Sequence, residues 1–153
     1  CLDTNTLKDT FSYAKKDHVK SRLRQFLARR TNIIVMDLAK DLKESVHKMA
    51  EVVKLGKKIL IFPEGTRTTT GNIGDFKKTY AIISSELMIP IVPVAISGAY
   101  EAMSSGKKRI KSGSKIVVEF LPPVDPDGMT PDLLNAAVKA KITEAVSSNS
   151  KTI

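Results

Sequence analysis

The sequence predicts an α/β fold, a mainly parallel or mixed sheet with helices on both faces. Three observations lead there. Short apolar runs rich in β-branched residues recur along the chain, stretches with helical apolar spacing separate them, and Gly, Pro and Asp mark the joins. Strands that alternate with helices pair in parallel, and the helices then cover the sheet.

In chain order, DTFSYAKK (9–16) admits a strand and KSRLRQFLARR (20–30) a basic helix. TNIIVMD (31–37) is a short buried strand. The helix that follows places Leu42, Val46, Met49 and Val53 on one stripe, starts at a capping box of Asp41 and Glu44, and stops at Gly56. KKILIF (57–62) is a second clear strand. DFKKTYAIISSEL (75–87) predicts a helix with Asp75 as its N-cap and Phe76, Tyr80, Ile83 and Leu87 on one face. PIVPVAI (90–96) reads as a strand in which Pro93 demands an edge, an end or a bulge. SKIVVEF (114–120) is a further strand, and LPPVDPDG (121–128) a turn-rich connector. Thr130-Pro131 opens a last helix carrying Leu134, Val138, Ile142 and Ala145. The polar stretch 147–153 is expected to fray.

The 153 residues are one domain's worth, and 42% hydrophobic with 27% charged residues describes a folded chain, not a disordered tail. Cys1 is the single cysteine, which excludes a disulfide framework and favours a reducing compartment. No apolar run approaches the roughly 18 residues needed to cross a bilayer, and no signal peptide is visible. The net charge of +9 suits nucleic acid, an anionic membrane surface or a phosphorylated substrate. With 5% aromatic residues and no Trp, platforms for stacking single-stranded nucleic acid are poor, so a membrane surface is the better match.

The chemistry gathers in ILIFPEGTRTTTG (59–71). Ligands of parallel sheets collect beyond the carboxyl ends of strands, where Glu64 to Arg67 stand. Gly65 permits a sharp turn and close approach, Arg67 offers a planar fork for phosphate, and Thr66 and Thr68 add hydroxyls. Lys77 and Lys78 fall in the first turn of the predicted helix, where the macrodipole disfavours cations unless an anion sits with them. Two readings stay open on spacing alone: a phosphate pocket built on Arg67 and Lys77, or a surface pair of Glu64 with Arg67 and lysines in water. Other sites fare worse. A Gly-x-Ser-x-Gly elbow is absent, GAYEAMSSGKK lacks P-loop spacing, and neither His18 nor His47 has Cys or His at metal-ligand spacing. No metal and no bound cofactor are expected.

Quoted as it stands, IFPEGTRTTTGNIGDFKKTYAI followed by IPIVPVAI resembles the glycerophospholipid acyltransferases, the family of 1-acylglycerol-3-phosphate acyltransferase. FPEGTR looks like the family's third block, FKK like the basic residue downstream, and VPVAI like the fourth block. ARRTNIIVMD lies where the second is expected, although Leu38 stands where many members carry a basic residue. The stretch 41–68 and ISGAYEAM are similar in particular to the acyltransferase part of bacterial proteins fused to acyl-CoA or acyl-ACP synthetases.

The resemblance implies a glycerolipid acyltransferase-like fold. It implies transfer of an acyl chain from an acyl-CoA or acyl-ACP co-substrate to the hydroxyl of a lysophospholipid, peripheral to the cytoplasmic side of a membrane. By the same resemblance Arg67 binds the acceptor's phosphate, with Glu64, Gly65, Thr66 and Lys77 around it. The family's catalytic His-x-x-x-x-Asp is not in this sequence: Leu23 stands five after His18, and Val52 five after His47. No catalytic residue is therefore assigned. Residues 1–153 are expected to be one acyltransferase domain, incomplete at its N-terminus and inactive without that motif, in a parent that is an enzyme. A first residue of Cys in place of Met agrees with a fragment; the alternatives are a natural relative without the His and a non-catalytic phosphate- or anionic-lipid-binding module.

Overall fold

A computed structural model describes residues 6, 8–15, 32–36, 42–103 and 111–150. The expected basic helix at 20–30, Asp41 of the capping box and the lysines at 107 and 108 lie outside the described residues. The chain divides into two compact units, Cys1–Phe62 and Pro63–Ile153.

The first unit holds a three-stranded sheet in the order β2-β1-β3. Its strands are β1 (Thr10–Lys15), β2 (Ile33–Met36) and β3 (Lys58–Leu60). Both pairings are parallel, with Ser12 opposite Ile33 and Thr10 opposite Lys58. The β1/β3 register is fastened where the strands begin. The Lys58 N–H donates to the Asp9 carbonyl at 2.8 Å, and the Lys57 ammonium pairs with the Asp9 carboxylate.

Between β2 and β3 runs α1 (Leu42–Lys54), which packs on β3. Met49 and Ser45 are its most buried side chains, with Val46 and Val53 half-buried. The helix stops as expected at Gly56. That residue takes φ +70°, the Gly56 N–H donates to the Val53 carbonyl at 2.8 Å, and the Lys57 N–H reaches back to Val52 at 3.2 Å. This is the paired closure of a left-handed C-cap, which a residue without Cβ enters freely.

In the second unit, β4 (Val94–Ser97) and β5 (Val117–Phe120) form a two-stranded sheet. They pair antiparallel, Ile96 opposite Val118, so the parallel pattern expected from alternation ends with the first unit. Pro93 is buried just before β4. Lacking an N–H it gives nothing to the ladder, but its carbonyl accepts from Leu121 at 2.9 Å, so it marks a strand end. The helices are α2 (Thr79–Leu87), α3 (Ala99–Ala102) and α4 (Pro131–Ser150).

Helix α4 packs against β4 and α2, burying Leu134 and Val138 with Tyr80, Ile83 and Ala95. The Tyr80 hydroxyl donates to Asn135 Oδ1 at 2.9 Å across the two helices. Burial disfavours the phenolate and pushes the Tyr80 pKa up to about 12. One expectation needs correction here. Helix α2 begins at Thr79, so Asp75 is not its N-cap and Lys77 and Lys78 are not in its first turn. Helix α4 continues through Ser147 to Ser150, into the stretch expected to fray. No helix among the described residues is long and apolar enough to cross a membrane.

Candidate functional site

Residues 63–78 form a loop whose ends are tied together. The Lys77 N–H donates to the Pro63 carbonyl at 3.0 Å, and the Gly74 N–H donates to Glu64 Oε2 at 2.9 Å. The first bond takes the Lys77 N–H that an N-cap at Asp75 would have accepted, and α2 starts at Thr79. The second engages one oxygen of the Glu64 carboxylate, and the surface pair of Glu64 with Arg67 is not formed. At Gly74 a Cβ would lie 3.1 Å from that carboxylate oxygen, closer than most side-chain contacts.

Gly65 takes φ +68°, and a Cβ there would lie 3.0 Å from Lys77 Nζ and 3.2 Å from Cε. The structure thus brings Gly65 and Lys77 together, two of the residues singled out by their chemistry. Thr66 and Arg67 follow directly and are exposed.

Hydroxyls fold the tip of the loop. Thr68 Oγ1 accepts from the Gly71 N–H at 3.0 Å and from the Thr70 N–H at 3.3 Å; Thr70 Oγ1 accepts from the Asn72 N–H at 3.3 Å. From α3, the Tyr100 hydroxyl donates to the Thr69 carbonyl at 3.0 Å. Its ring lies on Gly71, which takes φ +87° and whose Cβ would come 3.1 Å from the ring. Gly71, Gly74 and Tyr100 were not among the expected site residues. The Gly-Asp turn at 74–75 was the available signal for one of them; Tyr100 carries none, since its partner is 31 residues away.

Helix α4 holds the returning end of the loop. Lys139 donates to the Asp75 carboxylate at 2.9 Å and lies 5.8 Å from the centre of the Phe76 ring, while Asp132 pairs with Lys78. The Lys139 hydrogen bond, and after it the charge of that ammonium, lower the Asp75 pKa. Among the described residues, Arg67 and Lys77 alone of the loop's charged side chains have no hydrogen bond or ion pair. Both are exposed and positive, on a backbone tied at both sides, which suits a dianion that brings its own oxygens.

A groove of about 560 Å³ lies between Gly71–Ile73 and the C-terminal half of α4, away from Glu64–Arg67. Its Lys139 and the Thr143 and Ser150 hydroxyls are already bonded within the protein, so it offers few groups to a ligand. No group of three or more His, Cys, Asp or Glu among the described residues is placed to hold a metal ion.

Residues 1–97 match the family described as Acyltransferase. A 1-acyl-sn-glycerol-3-phosphate acyltransferase of Cocos nucifera is 33% identical over 97 residues, 63% of this chain and 31% of that protein. The alpha form from Mus musculus is 33% identical over 75 residues, 49% of this chain and 26% of that one. The crystal structure of PlsC from Thermotoga maritima, a 1-acyl-sn-glycerophosphate (LPA) acyltransferase, superposes with a TM-score of 0.77 at 26% identity. That match covers 93% of this chain and 57% of PlsC. The chain spans about a third or less of the length of these curated relatives. With the family matched across β1 to β4 and the 63–78 loop, and the fold matched across nearly all of the chain, the chain belongs to the acyltransferase family.

Proposed function

We propose that the 63–78 loop is the acceptor-phosphate site of an acyltransferase acting on lysophosphatidate-like lipids in phospholipid synthesis. One observation carries this reading: among the described residues, the Arg67 and Lys77 side chains have no hydrogen-bond or ion-pair partner, on a loop whose other charges are all bonded. The Arg67 guanidinium grips two phosphate oxygens, and the Lys77 ammonium over Gly65 balances the remaining charge. Held by its phosphate, the acceptor presents its free hydroxyl to an acyl-CoA or acyl-ACP thioester. The hydroxyl oxygen forms the new ester bond, the carbon–sulfur bond breaks, and the thiol leaves with the proton that a general base took from the hydroxyl. No residue of this chain is assigned as that base.

The formal charge of +9 and an acceptor that resides in lipid favour an anionic membrane surface as the working environment. The test is acyl transfer from acyl-CoA to 1-acylglycerol-3-phosphate by the full-length gene product, wild type and Arg67→Ala. Losing a charged bidentate contact should raise the acceptor KM by about tenfold or more. An unchanged acceptor KM removes Arg67 from the role. Binding to anionic vesicles without any transfer marks a non-catalytic lipid-binding module instead.

A further inference from the structure

Resting on that reading, we propose that Tyr100 is a positioning residue for the acceptor phosphate, acting on Arg67 through the backbone of the loop. Arg67 lies between two anchored points. On one side, Glu64 is tied to the Gly74 N–H; on the other, Thr69 is tied by its carbonyl to the Tyr100 hydroxyl. The residue after Arg67, Thr68, is itself locked by accepting from Thr70 and Gly71. The Tyr100 ring closes the arrangement by resting on Gly71, where a Cβ would come within 3.1 Å of it. An arginine side chain is long and flexible, so its aim depends on how firmly its own backbone is held.

Of these ties, only the Tyr100 bond comes from outside the loop and reaches its tip. Its bond goes to a main-chain oxygen, so the tie does not depend on which side chain occupies position 69. Tyr100 touches no phosphate in this scheme; it fixes where the phosphate-binding side chain starts.

The experiment is steady-state kinetics on the full-length gene product with Tyr100→Phe, Gly71→Ala and Arg67→Ala, varying 1-acylglycerol-3-phosphate and acyl-CoA separately. Tyr100→Phe removes one hydroxyl and keeps the ring. It should raise the acceptor KM by about threefold to tenfold, the range one lost hydrogen bond spans, with kcat and the acyl-CoA KM within about twofold of wild type. Gly71→Ala, which displaces the ring, should move the same parameter in the same direction. The proposal is overturned if both variants keep the wild-type acceptor KM while Arg67→Ala raises it. It is equally overturned if Tyr100→Phe alters kcat and both KM values together with a lowered melting temperature, the mark of a merely structural residue. An Arg67→Ala variant with unchanged acceptor KM removes the phosphate reading itself, and this proposal with it.

Discussion

The Lys77 ammonium lies over the α-carbon of Gly65, so close that a Cβ on residue 65 would come 3.0 Å from Nζ. Two consequences of Gly65→Ala can be separated. The backbone at φ +68° costs an L-residue roughly 1–2 kcal/mol, partly offset by a stiffer unfolded chain, for a net loss near 1 kcal/mol. The steric conflict is with the far end of a flexible side chain, which swings away. The variant should therefore fold, melt a few degrees lower, and lose phosphate affinity by about tenfold, read by titration with glycerol 3-phosphate.

Glu64 has one acceptor task in the structure, receiving the Gly74 N–H. A glutamine carbonyl can do the same without adding negative charge beside a phosphate. Glu64→Gln should keep the loop closed and bind acceptor at least as well as wild type, whereas Glu64→Ala should lose about 1 kcal/mol of loop stability. Amide hydrogen exchange at Gly74 distinguishes them, protected in the first and fast in the second. Fast exchange in both would show that the carboxylate charge itself is required.

Tyr80 sets an alkaline limit. Its pKa is raised by burial to about 12, so the folded state favours the neutral phenol more than the unfolded chain does. That contribution is complete below the ordinary tyrosine value near 10, and is lost as pH rises from there through about 12. Tyr80 should ionise above the ordinary tyrosine range, together with unfolding, when absorbance at the phenolate band and circular dichroism are followed side by side. In Tyr80→Phe the late step should vanish.

Asp75 works at the other end of the scale. Lys139 lowers its pKa, so the ion pair favours the folded state above the ordinary carboxylate value, and that contribution disappears as pH falls through the lowered one. Asp75 is fully exposed, so the effect on overall stability is small. Lys139→Met should return the Asp75 titration, followed by carboxyl carbon chemical shifts, to the ordinary range, with little change in melting temperature.

The strands were legible because their signal is local: β-branched runs at 31–37, 57–62 and 114–120 each contain an observed strand. Gly56 ended α1 for the reason its sequence suggests. What failed was decided at a distance. Asp75 has the chemistry of an N-cap, but Lys139, 64 residues away, takes its carboxylate, and the Pro63 carbonyl takes the N–H of Lys77. The antiparallel pairing of β4 and β5 falls within the mixed arrangement the sequence allowed but was not itself legible, because strand direction is set by the path between strands and not by their side chains. In the candidate site, Gly65 and Lys77 could be named from residue type. Their contact, and the supports at Gly74 and Tyr100, required the folded loop.

Helix α4 holds the loop at Asp75 and Lys78, yet it begins at Pro131, well past residue 97 where the family match ends. A chain trimmed to the boundary of its recognised likeness would keep every residue of the 63–78 loop and lose three of its braces, Tyr100, Asp132 and Lys139. Motif and braces are thus written in different parts of the chain, and they meet where the fold brings an acid and a base of α4 to Lys78 and Asp75.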